Sequence, residues 1–482
     1  MKEYKLFAQR VGLVGLTKFV NRFQGVILLP ILTKNMSVGD YGIWAQIMVT
    51  IGLIPSLMSL GLSQSMVRFM PSVKNKVNFQ DMFYSFLSVI TLTGIFASLG
   101  IYLMSEQIAD LLFDGDRLIV EVLALVVFFE GILKLLLNYF RATQQIKRHS
   151  MLTVAKNVLT VVIVAFFVLQ GEGIFGAVKG LLITIVIMLL IALLFIIRDL
   201  GLKVPKFNDL RQHLAFGIPT ESSTMSKWIL NSSDRYVISG FLGTSAVGYY
   251  SPGYTLGTVL QMFVAPLNFM LPMILSKHYD GNNLEEVKRY LSYSLKYFLA
   301  IAIPAAFGLS LLSRQLLEIL STPEIAEQGY FITPFVAIGA IFFGIFSVFE
   351  KVAMLVKKTK VIGTIWVIAA ALNLGLNMLL IPHIGIIAAA ATTLLSFTAA
   401  LGLMARYSLR YLQFDMDFAF ILKSVFASVL MSGIILLWNP SGLFAVLGVI
   451  GACVVFYFVI LILLKGFNKE EFKFFKECIS SS

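Results

Sequence analysis

Nine side chains stand out because they carry charge or strong polarity inside stretches that are otherwise apolar. Lys18, Arg22, Arg68, Lys227, Asn231 and Arg235 are hydrogen-bond donors, and Glu130, Glu221 and Asp234 are carboxylates. In a wet recess, ammonium and guanidinium groups give charge-assisted hydrogen bonds to phosphate or carboxylate, and Arg can give two in parallel. A carboxylate in the same setting can take up a proton. At 100° per residue, Thr220, Ser223, Thr224, Lys227, Asn231, Asp234 and Arg235 share one stripe about 120° wide, with Glu221 at its margin. Lys18, Asn21, Arg22 and Gly25 share a face in the same way. A charge at the bilayer centre costs about 2.5–3.5 kcal/mol on insertion scales, so both stripes are expected to line a water-filled interior. The six donors are read as contacts for an anionic substrate, and the three carboxylates as candidates for coupling to an ion. Glu130 and Lys134, one turn apart, are read either as an internal ion pair or as a proton-coupling site. Asp234 and Arg235 are read either as a structural pair or as part of the cavity lining. Lys156, Lys179 and Lys351 lie within two turns of span ends, where snorkelling to the headgroups accounts for them.

These residues sit in a chain of 482 residues that is 58% hydrophobic and 13% charged, with a mean hydropathy of +0.87. That composition excludes a large soluble enzyme. Runs of roughly 18 or more apolar residues predict fourteen spanning helices. They fall at 11–33, 42–66, 81–104, 118–140, 150–169, 174–197, 212–240, 246–275, 290–313, 329–350, 361–381, 385–405, 418–438 and 442–464. The first follows Lys2, Lys5 and Arg10 as a signal peptide would. Lys18 and Arg22 interrupt it, however, and no small-residue cleavage site follows, so an uncleaved helix is expected. Cys453 and Cys478 cannot make a disulfide framework. His149, His213, His278 and His383 are scattered without metal-ligand spacing, and no phosphate loop occurs. No metal, cofactor or ATP motor is expected.

Lys and Arg in short loops set orientation. With the N-terminus cytoplasmic, 25 of the 38 Lys and Arg fall in inside segments, and only Lys34, Arg117 and Arg314 fall outside. The formal charge of +12 is therefore mainly topology, with anionic lipid headgroups as partner rather than nucleic acid. The expectation is a multi-pass protein of the cell membrane with both termini cytoplasmic. The tail 466–482, with Phe467, Phe472, Phe474 and Phe475 among lysines and glutamates, reads as an interfacial amphipathic helix.

Two motifs recur. Ser37-Val38-Gly39-Asp40-Tyr41-Gly42 matches Ala246-Val247-Gly248-Tyr249-Tyr250-Ser251 at an offset of 209 residues, and Gly173-Ile174-Phe175-Gly176-Ala177-Val178 matches Gly385-Ile386-Ile387-Ala388-Ala389-Ala390 at 212. The expected architecture is an all-α polytopic membrane protein of 14 transmembrane helices. Residues 1–205 and 206–410 form two pseudo-symmetric six-helix bundles, and 411–482 an added helix pair with the tail. A polar basic linker near 198–211 joins the bundles. Halves with an even number of helices enter from the same side, the parallel kind of repeat that suits alternating access. At the 209 offset Lys18 falls on Lys227, and Arg68 on Lys277, which would bring both pairs to a common cavity. Pro30, Pro55, Pro219, Pro266, Pro272 and Pro304 mark places where spans can kink.

The chain resembles the Wzx-type polysaccharide-biosynthesis oligosaccharide flippases of the multidrug/oligosaccharidyl-lipid/polysaccharide exporter superfamily. The resemblance is carried by Leu32-Thr33-Lys34-Asn35-Met36-Ser37-Val38-Gly39-Asp40-Tyr41-Gly42, by Phe140-Arg141-Ala142-Thr143-Gln144-Gln145, and by the run Asn373, Asn377, Ile381-Pro382, Gly385-Ile386 and Ala388-Ala389. It implies a cationic central cavity, matched here by Lys18, Arg22, Arg68 and Lys227. It also implies a substrate, a polyprenyl-pyrophosphate-linked oligosaccharide moved from the cytoplasmic to the outer leaflet, with a proton or sodium ion as possible driver and a monomer as the working unit. The alternatives are a multidrug or cation antiporter of the same superfamily, which should favour acidic cavity residues, a peptidoglycan-precursor flippase of the same fold, and a membrane-embedded glycosyltransferase or polymerase. The short outer loops count against the last. Topology is checked with single cysteines placed in a background lacking Cys453 and Cys478. One in the loop 105–117 should react with a membrane-impermeant maleimide in intact cells. One in 141–149 should react only after permeabilisation. The reverse pattern would invert the orientation.

Overall fold

Short polar side chains mark where helices begin. Ser37 and Asp40 form a reciprocal capping box, and Asn75, Asp116, Asn283, Thr322 and Asp417 each accept a hydrogen bond from a first-turn amide. Each satisfies one of the amides that a helix start leaves without an internal partner. A computed structural model describes residues 24–73, 75–468 and 471, and among them the chain is helical with no strand. In order the helices are α1 (24–35), α2 (Val38–Met58), α3 (Leu62–Phe69), α4 (Lys76–Leu103), α5 (Ser105–Leu112), α6 (Arg117–Ala142), α7 (Ile146–Phe167), α8 (Gly173–Leu200), α9 (Leu210–Leu242) and α10 (Thr244–Gly257). They continue with α11 (Val264–Asp280), α12 (Leu284–Leu311), α13 (Ser313–Leu320), α14 (Pro323–Gly329), α15 (Ile332–Leu355), α16 (Thr359–Ile384), α17 (Ile386–Leu409), α18 (Phe418–Trp438) and α19 (Leu443–Leu463).

Ten helical stretches among the described residues are long and apolar enough to cross a membrane. One of these is the run Ile146–Leu200, which holds two expected spans. A wide turn at Val168–Glu172, with Gly171 at φ +85°, separates them, and α7 packs back on α8. The more charged helices α6 and α9 fall outside the ten, as does α1, of which 24–35 are described residues. Two expected spans are broken. The run 42–66 divides at Gly61 into α2 and α3, and 246–275 becomes α10, a 3-10 turn at Thr258–Phe263, and α11. The repeat is visible in element lengths. α4 and α5 have 28 and 8 residues, and α12 and α13 have 28 and 8.

The chain groups into two units, one of residues 1–251 with 366–392, the other of 252–365 with 393–482. In the first, α6 lies against α2, α3, α4, α5, α7 and α8. Its buried face is Leu123, Val126, Val127, Leu133, Leu136 and Phe140. The two copies of the first motif touch. A Cβ on Gly42 would run into the Thr244 carbonyl, and one on Gly248 into the Val38 carbonyl, so only glycine permits this backbone approach. The linker expected at 198–211 is strapped along α4. Gln80 donates to the Leu200 carbonyl and Tyr84 to that of Gly201, while Asp81, 3% exposed, accepts from the Lys206 amide at 2.5 Å and the Asn208 amide at 3.3 Å.

In the second unit, α12 lies against α11, α15 and α18, and α18 pairs with α19. Phe420, Ala427, Met431 and Ile435 meet Val446, Val449, Cys453, Tyr457 and Leu461 in a buried core. Of the tail expected as an amphipathic helix, only Gly466–Asn468 and Glu471 are among the described residues. Glu471 is buried and accepts from Lys296 at 3.0 Å and Tyr297 at 3.2 Å.

Replacing Asp81 with Ala removes the charged acceptor of two amides, a loss of about 1.5–3 kcal/mol. Limited proteolysis should then cut after Lys203 or Lys206 faster in the variant than in the wild type. Equal rates would show that the strap does not depend on this carboxylate.

Candidate functional site

α9 is an unusual membrane helix, with a polar residue at nearly every turn and Pro219 near its start. Its neighbours hold it in place. Trp228 Nε1 donates to the Val49 carbonyl at 3.2 Å, and the Tyr236 hydroxyl lies 2.6 Å from Thr50 Oγ1, tying α9 to α2. Ser65 Oγ donates to the His213 carbonyl at 2.7 Å. Gly61, at φ +74°, meets the backbone of Gly217 so closely that a Cβ on either would collide with the backbone of the other segment. These contacts fix the rotation of α9 and so the direction of its polar stripe.

The stripe has two parts. Thr224 and Lys227 are exposed, and Thr220, Ser223 and Asn231 half-buried. Lys227 Nζ stands 5.1 Å over the ring of Trp366 on α16, and Asn231 donates to the Lys227 carbonyl at 2.7 Å. No carboxylate lies within ion-pair distance of Lys227 among the described residues. A cation over an aromatic face is held in place while its donors remain available. Farther along, the stripe closes. Arg235 is buried, with Nη1 2.9 Å from Asp234 Oδ1 and 3.0 Å from the Asn231 carbonyl oxygen. The Tyr250 hydroxyl donates to the other Asp234 oxygen, and the Arg235 guanidinium lies 5.5 Å from the Tyr250 ring centre. Tyr41, buried, is close enough to Arg235 to feel its charge. Tyr41 and Tyr250 stand 209 residues apart, equivalent positions of the repeat. Asp234 and Arg235 thus form a structural pair, and a water-lined stripe continuous to residue 235 is not what the packing shows.

The carboxylate Glu130 does not pair with Lys134 one turn away. Lys156, which nearness to a span end assigned to the headgroups, instead reaches Glu130 Oε1 at 2.5 Å from α7. Lys134 donates to Ser56 Oγ on α2 at 2.6 Å, and Glu221 is close enough to interact with both Lys134 and the Ser56 hydroxyl. Lys351 is likewise no snorkelling residue. It is buried and donates to Asn268 at 2.7 Å within the second unit. Lys179 is partly exposed and pairs with Glu172 at 3.0 Å. Arg68 ends α3, exposed, with no ion pair among the described residues. Lys18 and Arg22 lie outside the described residues. No cluster of metal-ligating side chains occurs among the described residues.

Sequence reasoning missed Ser56, Trp366, Tyr41 and Tyr250. The two tyrosines stood in the repeated motif, and their shared offset is the signal that could have found them. Ser56 and Trp366 carry no such mark. Two surface recesses hold none of the deep charges. One, of about 500 Å3, lies between α4 and α6 and includes Leu99 and Phe128; the other, of about 460 Å3, follows Tyr290, Tyr293 and Tyr297 on α12.

Known proteins resemble this chain in sequence and in fold. It is 24% identical over 236 residues to the probable low-salt glycan biosynthesis flippase Agl15 of Haloferax volcanii, a match spanning 49% of this chain and half the length of that relative. It is 22% identical over 403 residues to the probable flippase AglR of the same organism, covering 78% of each chain. Its fold matches that of the lipid II flippase MurJ in an inward closed conformation with a TM-score of 0.77, at 17% identity, over 93% of this chain and 98% of that one. A family model described as polysaccharide biosynthesis protein matches residues 31–326. With well over half of its length inside that match and many apolar helices besides, the chain is a multi-pass membrane protein that belongs to the polysaccharide biosynthesis protein family.

Proposed function

We propose that the protein is a flippase that moves a lipid bearing a pyrophosphate-linked oligosaccharide from the cytoplasmic to the outer leaflet of the cell membrane. Such a headgroup cannot cross hydrocarbon alone, because unpaired polar groups are costly there. The observation that carries the reading is a difference among the deep charges of the first unit. Glu130 and Asp234 each have a cation within 3 Å, whereas Lys227 is exposed on its stripe with no carboxylate within ion-pair distance among the described residues. A site with two of its acids already engaged and an ammonium to spare favours an anionic ligand over an organic cation. Both sequence relatives are named as probable flippases, and one of them as a glycan biosynthesis flippase, which supports the same reading.

In this reading Lys227 and Arg68, with Lys18 and Arg22, contact the pyrophosphate, and the lipid tail stays in the bilayer. Fourteen helices, arranged as bundles 1–205 and 206–410 with an added pair in 411–482, expose the site to each leaflet in turn by alternating access. The protein works as a monomer, takes its substrate from membrane lipids, and draws on an ion gradient. Asn231 and Arg235 serve to hold the stripe rather than to touch the ligand.

The test is reconstituted flipping of a defined lipid-linked sugar. A charged hydrogen bond contributes about 1.5–3 kcal/mol, so Lys227→Ala and Arg68→Ala should each slow flipping roughly ten- to hundredfold at unchanged membrane abundance. Lys227→Arg should retain most of the rate. Wild-type flipping in both alanine variants would remove the cationic site. Sugar transfer by the purified protein, or efflux of cationic dyes, would replace the flippase reading with one of its rivals.

A further inference from the structure

Near the start of α12, Glu286, Arg289, Tyr290, Tyr293 and Tyr297 are spaced by threes and fours, so they share one face of the helix. With Ser294 and Glu471 they border the recess of about 460 Å3 in the second unit. The rings of Tyr293 and Tyr297 are parallel to within 11°, their centres 5.8 Å apart. His278, from the last turn of α11, lies 5.4 Å from Tyr290 and extends the row. The Arg289 guanidinium stands 5.6 Å from the Tyr293 ring centre, with Nη1 3.6 Å from Glu286 Oε1. At the other end Glu471 accepts from the Tyr297 hydroxyl at 3.2 Å and from Lys296 at 3.0 Å.

The repeat shows what such a face can hold. α4 and α12 both have 28 residues. Laid start to start, Asp81 falls on Arg289 and Ser85 on Tyr293. In the first copy this face is covered by an extended polar strand of chain. Asp81 accepts from the amides of Lys206 and Asn208, and Ser85 from that of Phe207 at 3.2 Å. In the second copy Arg289 and Tyr293 border the recess instead. The segment that follows α17, in the place of the linker, is held elsewhere. Phe414 lies 5.1 Å from Phe349 on α15, and Asp417 3.4 Å from Lys296.

The exchange of residues narrows the occupant. A carboxylate that accepts from backbone amides has become a guanidinium, and a small hydroxyl has become a ring. The second copy has lost the acceptors that hold a peptide backbone and gained aromatic faces. Its charges are balanced, Arg289 by Glu286 and Glu471 by Lys296. A pyrophosphate would want an excess of positive charge there, and an organic cation an excess of negative. An acyl chain would leave Ser294, the tyrosine hydroxyls and the Arg289–Glu286 pair facing hydrocarbon. An interfacial belt would set its tyrosines at one depth, whereas Tyr290 and Tyr297 lie about 10 Å apart along the helix. A sugar chain meets every condition. Each ring has a flat face of C–H bonds that lies on an aromatic ring, and a rim of uncharged hydroxyls that both donate to carboxylates and accept from a guanidinium. A row of rings suits a chain of sugars better than one.

We propose that the α12 recess is a docking platform for the sugar portion of the lipid-linked substrate. Sugar faces rest on Tyr290 and Tyr293, and sugar hydroxyls bond to Arg289 and Glu286. The assignment rests on the flippase reading above. In the orientation expected from Lys277, Lys288 and Arg289, the platform lies on the cytoplasmic side, where the substrate is taken up. It senses sugar length and leaves the pyrophosphate to other residues.

The experiment uses the full chain in liposomes with two fluorescent polyprenyl-pyrophosphate lipids, one carrying a neutral tetrasaccharide of hexoses and one a single hexose. The readouts are the lipid density that gives half the maximal flipping rate and the maximal rate itself. Bases stacked on aromatic side chains lose about tenfold or more in binding when the ring is removed, and a similar loss is expected here. Tyr293→Ala and Tyr290→Ala should each raise the half-saturating density of the tetrasaccharide lipid about tenfold. The maximal rate and the single-hexose lipid should stay as in the wild type, which also shows that the variants fold. Tyr293→Phe should keep the wild-type value. Equal losses for both lipids, or no change for the tetrasaccharide lipid, would overturn the assignment. So would a defect that follows the ethanolamine-phospholipid content of the vesicles rather than sugar length, since the recess would then hold a membrane lipid. If the wild type moves neither lipid, the flippase reading itself falls, and the platform with it.

Discussion

A charge inside hydrocarbon must be partnered or wet, and that constraint sorts the deep residues of this protein into three arrangements. Asp234 and Arg235 satisfy each other and a tyrosine hydroxyl, and are sealed. Glu130, Lys134, Lys156 and Glu221 share partners across three helices and remain half-accessible. Lys227 is left over an aromatic face with its donors available. All three converge on α9, whose low apolarity would be untenable if its neighbours did not supply bonds at Val49, Thr50, Ser65 and Tyr250.

The repeat gives these arrangements their meaning. Two copies of an element series can diverge freely where each packs against its own surroundings, and α12 and α13 keep the lengths of α4 and α5 while changing most side chains. Where the two motifs touch, Gly42 and Gly248 themselves leave no room for a Cβ. Around that contact the equivalent tyrosines 41 and 250 flank one ion pair that lies on a single copy. The two series are alike in helix length and unlike in their charges.

Much of this was legible in the chain. Apolar run length located many of the long apolar helices, because a membrane helix needs about 20 such residues whatever it packs against. The breaks at Gly61 and at Thr258–Phe263 were not legible, since an apolar run continues through a bend without a change in composition. At the site, the reading failed wherever the partner lay on another helix. Spacing put Lys134 beside Glu130, but a side chain can reach Ser56, 78 residues away in sequence, as easily as its own next turn. Nearness to a span end put Lys156 and Lys351 at the headgroups, yet Glu130 and Asn268 turn both inward. Asp234 and Arg235, adjacent in the chain, were readable as a structural pair. The stripe on α9 was readable because periodicity alone defines it.

The strap along α4 has a mechanical consequence. Asp81 holds the amides of Lys206 and Asn208, and α9 starts at Leu210. The helix therefore has an anchored root. Beyond Pro219, 23 residues remain to Leu242, a rod of about 35 Å at 1.5 Å per residue. A change in tilt of about 10° at the proline corresponds to roughly 6 Å at the far end. An anchored root, a joint that lacks one backbone hydrogen bond and a stiff rod give α9 the proportions of a lever.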